Sequence, residues 1–225
     1  MYTSPEVASA FEAFWSNKNG LQDKFMEYWR VVASKFSNNT NVLGYDILNE
    51  PFAANLYRDS SLFYDQKKFD REVLYPFYKK AAETIRFVDS SHFIFFEPAQ
   101  FPDTIPLMGG IISAVGFTSA PTNSVLDEHL YCCLMEPGVC DSGEPLPHKI
   151  DECKVFHRRK MDVRKDDAKR LGVPIMISEW GACSGSKACY DELNNVAEVM
   201  DEHVASWAYW QFKGFGDFTT ISTHV

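Results

Sequence analysis

No stretch of this chain approaches eighteen uninterrupted apolar residues, which excludes a membrane-spanning helix. No two cysteines stand at C-x-x-C spacing, and the histidines lack metal-ligand spacing, so no metal centre is expected. There is no Gly-rich phosphate loop. Gly214-Phe215-Gly216 follows the last expected strand without a helix on which to dock a phosphate, and no nucleotide cofactor is expected. A serine-hydrolase elbow is also missing, because Gly181-Ala182-Cys183-Ser184-Gly185 has the wrong spacing for Gly-x-Ser-x-Gly. Positive charge is scarce: 22 Lys and Arg against 31 Asp and Glu give a net charge of −9. That balance argues against nucleic acid and against a strongly anionic membrane as partners. Met1-Tyr2-Thr3-Ser4-Pro5 carries neither the basic nor the apolar region of a signal peptide. No internal repeat, low-complexity segment or linker divides residues 1–225, which read as a single domain.

What is present is concentrated in two short segments. The apolar run Val42–Leu48 ends in Asn49-Glu50-Pro51, and the run beginning at Val173 ends in Ser178-Glu179-Trp180-Gly181. Apolar, β-branched runs of this length bounded by turn residues read as buried strands. Each therefore places one glutamate at a strand's C-terminal tip. A lone glutamate there serves equally well near a helix N-terminus. Two of them match the pair of carboxyl groups that retaining glycoside hydrolysis needs, one protonated and one ionised.

The remaining pattern alternates. Helices are expected at 5–17, 21–37, 68–87, 149–171 and 190–203. Strands are expected at 42–48, 91–97, 124–131, 174–178 and 206–212, with a weak apolar stretch at 109–117 and a loop at 52–66. Strand–helix alternation argues for an α/β fold with a parallel sheet. Two architectures compete, a (β/α)8 TIM barrel and a five-stranded doubly wound sheet. In the barrel, catalytic groups stand at the C-terminal strand ends. The stripe Phe25, Tyr28, Trp29, Val32 and Phe36 reads as the core face of its helix. Asp46 is expected to be a buried partner of a basic group. Glu97, which also ends a strand, is expected in a supporting role.

Six cysteines, Cys132, Cys133, Cys140, Cys153, Cys183 and Cys189, fall in or near expected loops. The even count favours disulfides and an oxidising compartment over six free thiols. The sequon Asn38-Asn39-Thr40 points the same way.

Asn49-Glu50-Pro51, His129-Leu130-Tyr131, Ser178-Glu179-Trp180-Gly181 and a final tryptophan-bearing strand resemble glycoside hydrolase family 5. Tyr45–Phe52, Phe96-Glu97-Pro98, Trp207–Lys213 and Phe11–Trp15 are similar to its endoglycoceramidase subgroup. The resemblance implies a (β/α)8 barrel with Glu50 as acid/base on strand 4 and Glu179 as nucleophile on strand 7. The strands here would be strands 4 to 8, so the barrel would be incomplete, lacking strands 1 to 3 and a C-terminal β-sandwich. The substrate implied is a glycosphingolipid, cut between oligosaccharide and ceramide, with transient contact to lipid surfaces or micelles. The implied location is secreted, lysosomal or extracellular.

Within that frame Asn49 is expected to donate to the sugar 2-hydroxyl and Tyr131 to donate to Glu179. His129 would line the same pocket, and Trp210 would form a stacking floor. Phe52, Phe101, Phe212, Phe215 and Phe218 are candidates for the apolar side. A β-glucan, a glucosylceramide or a steryl glucoside is the alternative substrate, and a non-catalytic glycolipid-binding remnant the alternative role.

Overall fold

A computed structural model describes residues 4–53, 55–99, 112–132, 145–182 and 185–211. Phe101, Phe212, Phe215, Phe218, Cys133, Cys140 and Cys183 lie outside the described residues. The chain divides into two units. One comprises Met1–Pro102, Ser113–Leu126 and Ala168–Pro174; the other comprises Asp103–Ile112, Asp127–Asp167 and Ile175–Val225.

The first unit opens with α1 (Pro5–Trp15). Ser4 caps it by accepting the Val7 N–H, and Pro5 occupies the first helical position, where a missing N–H costs nothing. Next come α2 (Leu21–Phe36), β1 (Gly44–Asp46), α3 (Ser61–Tyr64) and α4 (Gln66–Phe69). A π-helical turn over Asp70–Leu74 leads into α5 (Tyr75–Arg86) and β2 (Phe93–Phe96). Pro76 lacks an N–H and crowds the preceding turn, which accounts for the widened segment just ahead of it. Strand β3 (Ser124–Leu130) begins in this unit and ends in the other. The strands run parallel, with Tyr45 opposite Ile94 and Ile94 opposite Ser124.

The core of this unit is aromatic. Phe77 packs with Phe14, Trp15 and Phe25 at ring distances of 5.3–5.7 Å. Asp70, fully buried, accepts the backbone N–H groups of Ala99 at 2.9 Å and Gly116 at 2.8 Å. Asp89 plays a similar part between α5 and β2. It accepts the Tyr45 hydroxyl at 2.6 Å and the N–H groups of Ser91 and His92, and the His92 ring lies 2.6 Å from the same carboxylate. Burial pushes the Asp89 carboxyl up, but these donors outweigh it and hold it well below the usual carboxylate range.

The second unit contains the end of β3, α6 (Ile150–Leu171, through Asp167), β4 (Ile175–Trp180), α7 (Lys187–His203) and β5 (Ser206–Trp207). β4 and β5 run parallel, with Met176 opposite Ser206. Leu130, Met161, Ile177, Val196, Val199 and Met200 form its buried core. A disulfide joins Cys132, just beyond β3, to Cys153 on α6, and Cys189 is also disulfide-bonded.

Several expectations change. Asp46 is exposed rather than buried, because its position on β1 turns it away from the face that buries Tyr45. Four expected strands shorten at one or both ends, whereas β4 extends through Trp180, so Glu179 lies inside a strand and not beyond its tip. The expected loop 52–66 contains the short helix α3. α7 starts at Lys187 because Ser186 caps it, accepting the Cys189 N–H at 3.1 Å. Residues 112–117 form no strand.

Replacing Asp89 with alanine leaves the Tyr45 hydroxyl only the Ala33 carbonyl at 3.4 Å and strands two backbone donors, each lost bond costing about 1–3 kcal/mol when buried. Urea unfolding should show a loss of at least about 3 kcal/mol. A loss below about 1 kcal/mol would mean these bonds contribute little.

Candidate active site

Asn49 and Glu50 follow β1 on a turn in the first unit. Glu50 has φ of +47°, a conformation that L residues adopt at a cost and that surrounding bonds must hold. Three donors do so. The Trp29 indole N–H reaches the Ile47 carbonyl at 3.2 Å, and the Trp15 indole N–H reaches the Phe52 carbonyl at 3.1 Å. Between them, the Glu50 N–H donates to Glu97 Oε2 at 3.0 Å. Glu97 is buried, and its own N–H donates to the Tyr78 hydroxyl. Glu97 thus acts on the backbone beneath Glu50, in keeping with the supporting role expected of it. The Glu50 side chain is half-buried and Asn49 is exposed. Beside Glu50 lies a cavity of about 340 Å³ with Phe11, Phe14, Phe25 and Leu48 among its lining. Phe52, expected on the apolar side, also lines it and is otherwise buried, its ring 5.2 Å from Phe11.

Glu179 lies on β4 in the second unit. The Tyr131 hydroxyl donates to its Oε2 at 3.1 Å, and His129 Nδ1 stands 3.5 Å from the same oxygen. The Glu179 side chain is 15% exposed and that of His129 is 1% exposed, so one is reachable from solvent and the other is not. His129 and Tyr131 are two residues apart and share a side of β3 and its extension. Asp127, on that side too, accepts the Ser178 N–H at 3.2 Å.

The opposite side of β3 is held by Glu128. Its carboxylate is bound by Lys160 at 3.0 Å and by Arg164, both on α6, and all three side chains are buried. Lys160 also donates to the His129 carbonyl at 3.0 Å. Burial pushes the Glu128 carboxyl up, but the two cations reverse that and hold it at about 2. The residues that clamp β3 were missed in the sequence. The available signal was two adjacent acids in a strand wholly buried, with Lys160 and Arg164 one helical turn apart to meet one of them.

Beyond Glu179 the chain turns sharply. Gly181 has φ of +110°, and a Cβ there would come within 2.3 Å of the Tyr209 ring. Trp210, half-buried, is joined to this turn through its backbone: its N–H donates to the Trp180 carbonyl at 2.8 Å, and its carbonyl accepts the Ala182 N–H at 2.6 Å. Trp207 and Tyr209 both pack edge-on against Trp180.

The cellulase model of glycosyl hydrolase family 5 matches residues 8–216. A curated endoglycoceramidase from Cyanea nozakii is 29% identical over 221 residues, covering 96% of this chain and 38% of the relative. One from Hydra vulgaris is 26% identical, covering 96% and 37%. The chain therefore spans under two-fifths of the length of these relatives. Among solved structures, the lactosyl-enzyme intermediate of endo-glycoceramidase II from Rhodococcus sp. superposes with a TM-score of 0.73 at 23% identity, over 93% of this chain and 44% of that one. The same enzyme in complex with ganglioside GM3 gives 0.71. The fold is accordingly that of the (β/α)8 barrel class, and the doubly wound alternative falls away.

The Glu128 carboxylate is depressed from 4.5 to about 2, so its contribution to stability is complete above pH 4.5 and is lost as pH falls through about 2. Glu128→Gln, which leaves two buried cations short of a partner, should cost about 3–5 kcal/mol at neutral pH. It should also flatten the pH dependence of stability in that acid window. Denaturant unfolding at several pH values checks both, and a variant with the parent's acid slope contradicts the assignment.

Proposed function

Because the chain belongs to glycosyl hydrolase family 5, we propose that it acts as a retaining β-glycosidase on glycosphingolipids, releasing intact oligosaccharide from ceramide. Glu179 is the nucleophile and Glu50 the acid/base. Glu179 attacks the anomeric carbon while Glu50 protonates the departing oxygen. Glu50 then takes a proton from the water that hydrolyses the glycosyl-enzyme. The Tyr131 hydroxyl at Glu179 Oε2 supports this assignment, since a donor to a carboxylate oxygen favours and orients its anionic form. The Rhodococcus enzyme was captured as a lactosyl-enzyme, the kind of intermediate such a nucleophile forms. His129 backs Glu179 from the buried side of the pocket, Asn49 donates to the 2-hydroxyl, and Trp210 stacks on the sugar.

The lipid reading rests on one observation, the apolar cavity beside Glu50. An acid that protonates the leaving oxygen must have the leaving group next to it. A cavity walled by Phe11, Phe14, Phe25 and Leu48 suits a hydrocarbon chain better than a second sugar. The family model's description, cellulase, makes a β-glucan the second reading. The disulfides favour an oxidising compartment, secreted or lysosomal. No described helix is long and apolar enough to cross a membrane, and contact with lipid is expected through micelles or membrane surfaces.

Product analysis separates the substrates. The chain should release oligosaccharide from a ganglioside and leave a cellulose oligomer intact; the reverse would establish the glucanase. Loss of activity in Glu179→Gln is expected, by about 10³-fold or more. Alanine at Glu50 should slow substrates with poor leaving groups most, and that pattern at Glu97 instead would reverse the roles. A substrate-analogue complex should place the two carboxyl groups about 5–5.5 Å apart, whereas about 8 Å or more would indicate inversion.

A further inference from the structure

His157 and Glu192 form a buried pair that the glycosidase reading does not use. His157 is fully buried on α6, with Nε2 2.5 Å from Glu192 Oε1, and Glu192 on α7 is also buried. Each has a second polar atom, His157 Nδ1 and Glu192 Oε2, that is buried without a hydrogen-bond partner among the described residues. Unpaired buried atoms of this kind call for an explanation. The Cys132–Cys153 disulfide lies next to them: a sulfur of Cys132, a ring nitrogen of His157 and a carboxylate oxygen of Glu192 all lie within 4.8 Å of one another. Cys153 is bonded to that sulfur and stands four residues before His157, on the same face of α6.

We propose that Cys132, Cys153, His157 and Glu192 are a zinc site of the dithiol state, an alternative to the disulfide. Two thiolates, an imidazole and a carboxylate are the donor types zinc takes in four-coordinate sites, with bonds of about 2.0–2.3 Å. In the disulfide the sulfurs are poor donors, so the site is closed to metal. A dithiol or phosphine reductant supplies two electrons, the S–S bond breaks, and two protons give two thiols. Zinc then displaces those protons and binds both thiolates. The bound metal in turn blocks disulfide formation. The donors come from the segment after β3, from α6 and from α7, so the i, i+4 spacing of Cys153 and His157 is their one mark in the sequence.

The test uses the whole purified chain, reduced with a phosphine under argon and titrated with Co²⁺. About one ion per chain should bind, with thiolate-to-cobalt charge transfer in the near-ultraviolet and the strong visible bands of a tetrahedral site, and Zn²⁺ should bleach both. The unreduced chain should show neither. Iodoacetamide followed by peptide mass spectrometry locates the ligands in the parent chain: zinc should protect Cys132 and Cys153 while Cys133, Cys140, Cys183 and Cys189 are alkylated. His157→Gln and Glu192→Gln should each weaken Co²⁺ binding at least about tenfold. Equal alkylation of all six cysteines with zinc present, protection of a different pair, or affinity unchanged in both variants overturns the proposal. The alkylation pattern decides the matter if a variant fails to fold, and neither readout depends on glycosidase activity.

Discussion

A carboxylate taken out of water must be met by donors or by cations, and Glu128 is met by two cations. Lys160 and Arg164 lie one turn apart on α6 and close on a carboxylate of β3. Pairing of this kind is weak evidence for stability as such, because desolvation offsets much of the attraction. Its value here is positional. Lys160 also holds the His129 carbonyl. Two successive residues of β3 therefore face the helix through Glu128 and Glu179 through His129, and Tyr131, just past the strand, follows at the next alternate position. Fixing one side of the strand fixes the other, because side chains alternate across a strand.

Glu50 is positioned by different means. Its backbone is held instead, by the Trp29 and Trp15 indoles on either side and by Glu97 beneath. A backbone fixed in this way sets the direction in which the Glu50 side chain leaves the turn. Glu179 is held at its side chain, where the Tyr131 hydroxyl donates to Oε2.

Much of this was legible in the sequence for identifiable reasons. Apolar runs closed by Gly, Asn or Pro fixed the strand and helix order, because burial and turn chemistry are local. The stripe expected to be the core face of α2 was only partly right: Phe25, Trp29 and Val32 are half-buried, Tyr28 and Phe36 are exposed, and the residues α2 buries are Met26 and Ala33. What it could not show was that two tryptophans would each use an indole N–H on a distant carbonyl, since such a bond depends on where the chain returns. Asp46 failed for a related reason: it alternates with Tyr45, which packs against Trp29 of α2, so Asp46 lies on the opposite, exposed face of β1. Asp70 and Asp89 left no mark either. Each satisfies backbone donors far along the chain, and only the folded path brings them near. β4 runs past its expected end at residue 178, and the turn at Gly181 is still paired to Trp210.

The order in which the chain visits its two units has a consequence for how such a protein can be divided. The path enters the first unit, leaves it, returns for Ser113–Leu126, leaves within β3, and returns again for Ala168–Pro174 before its final departure. No single cut yields either unit in one piece. A gene rearrangement that kept one and discarded the other would have to splice separate stretches in frame, and a nick inside β3 or α6 would damage both at once. The two glutamates lie one in each unit, and a cut anywhere between them breaks at least one unit into parts.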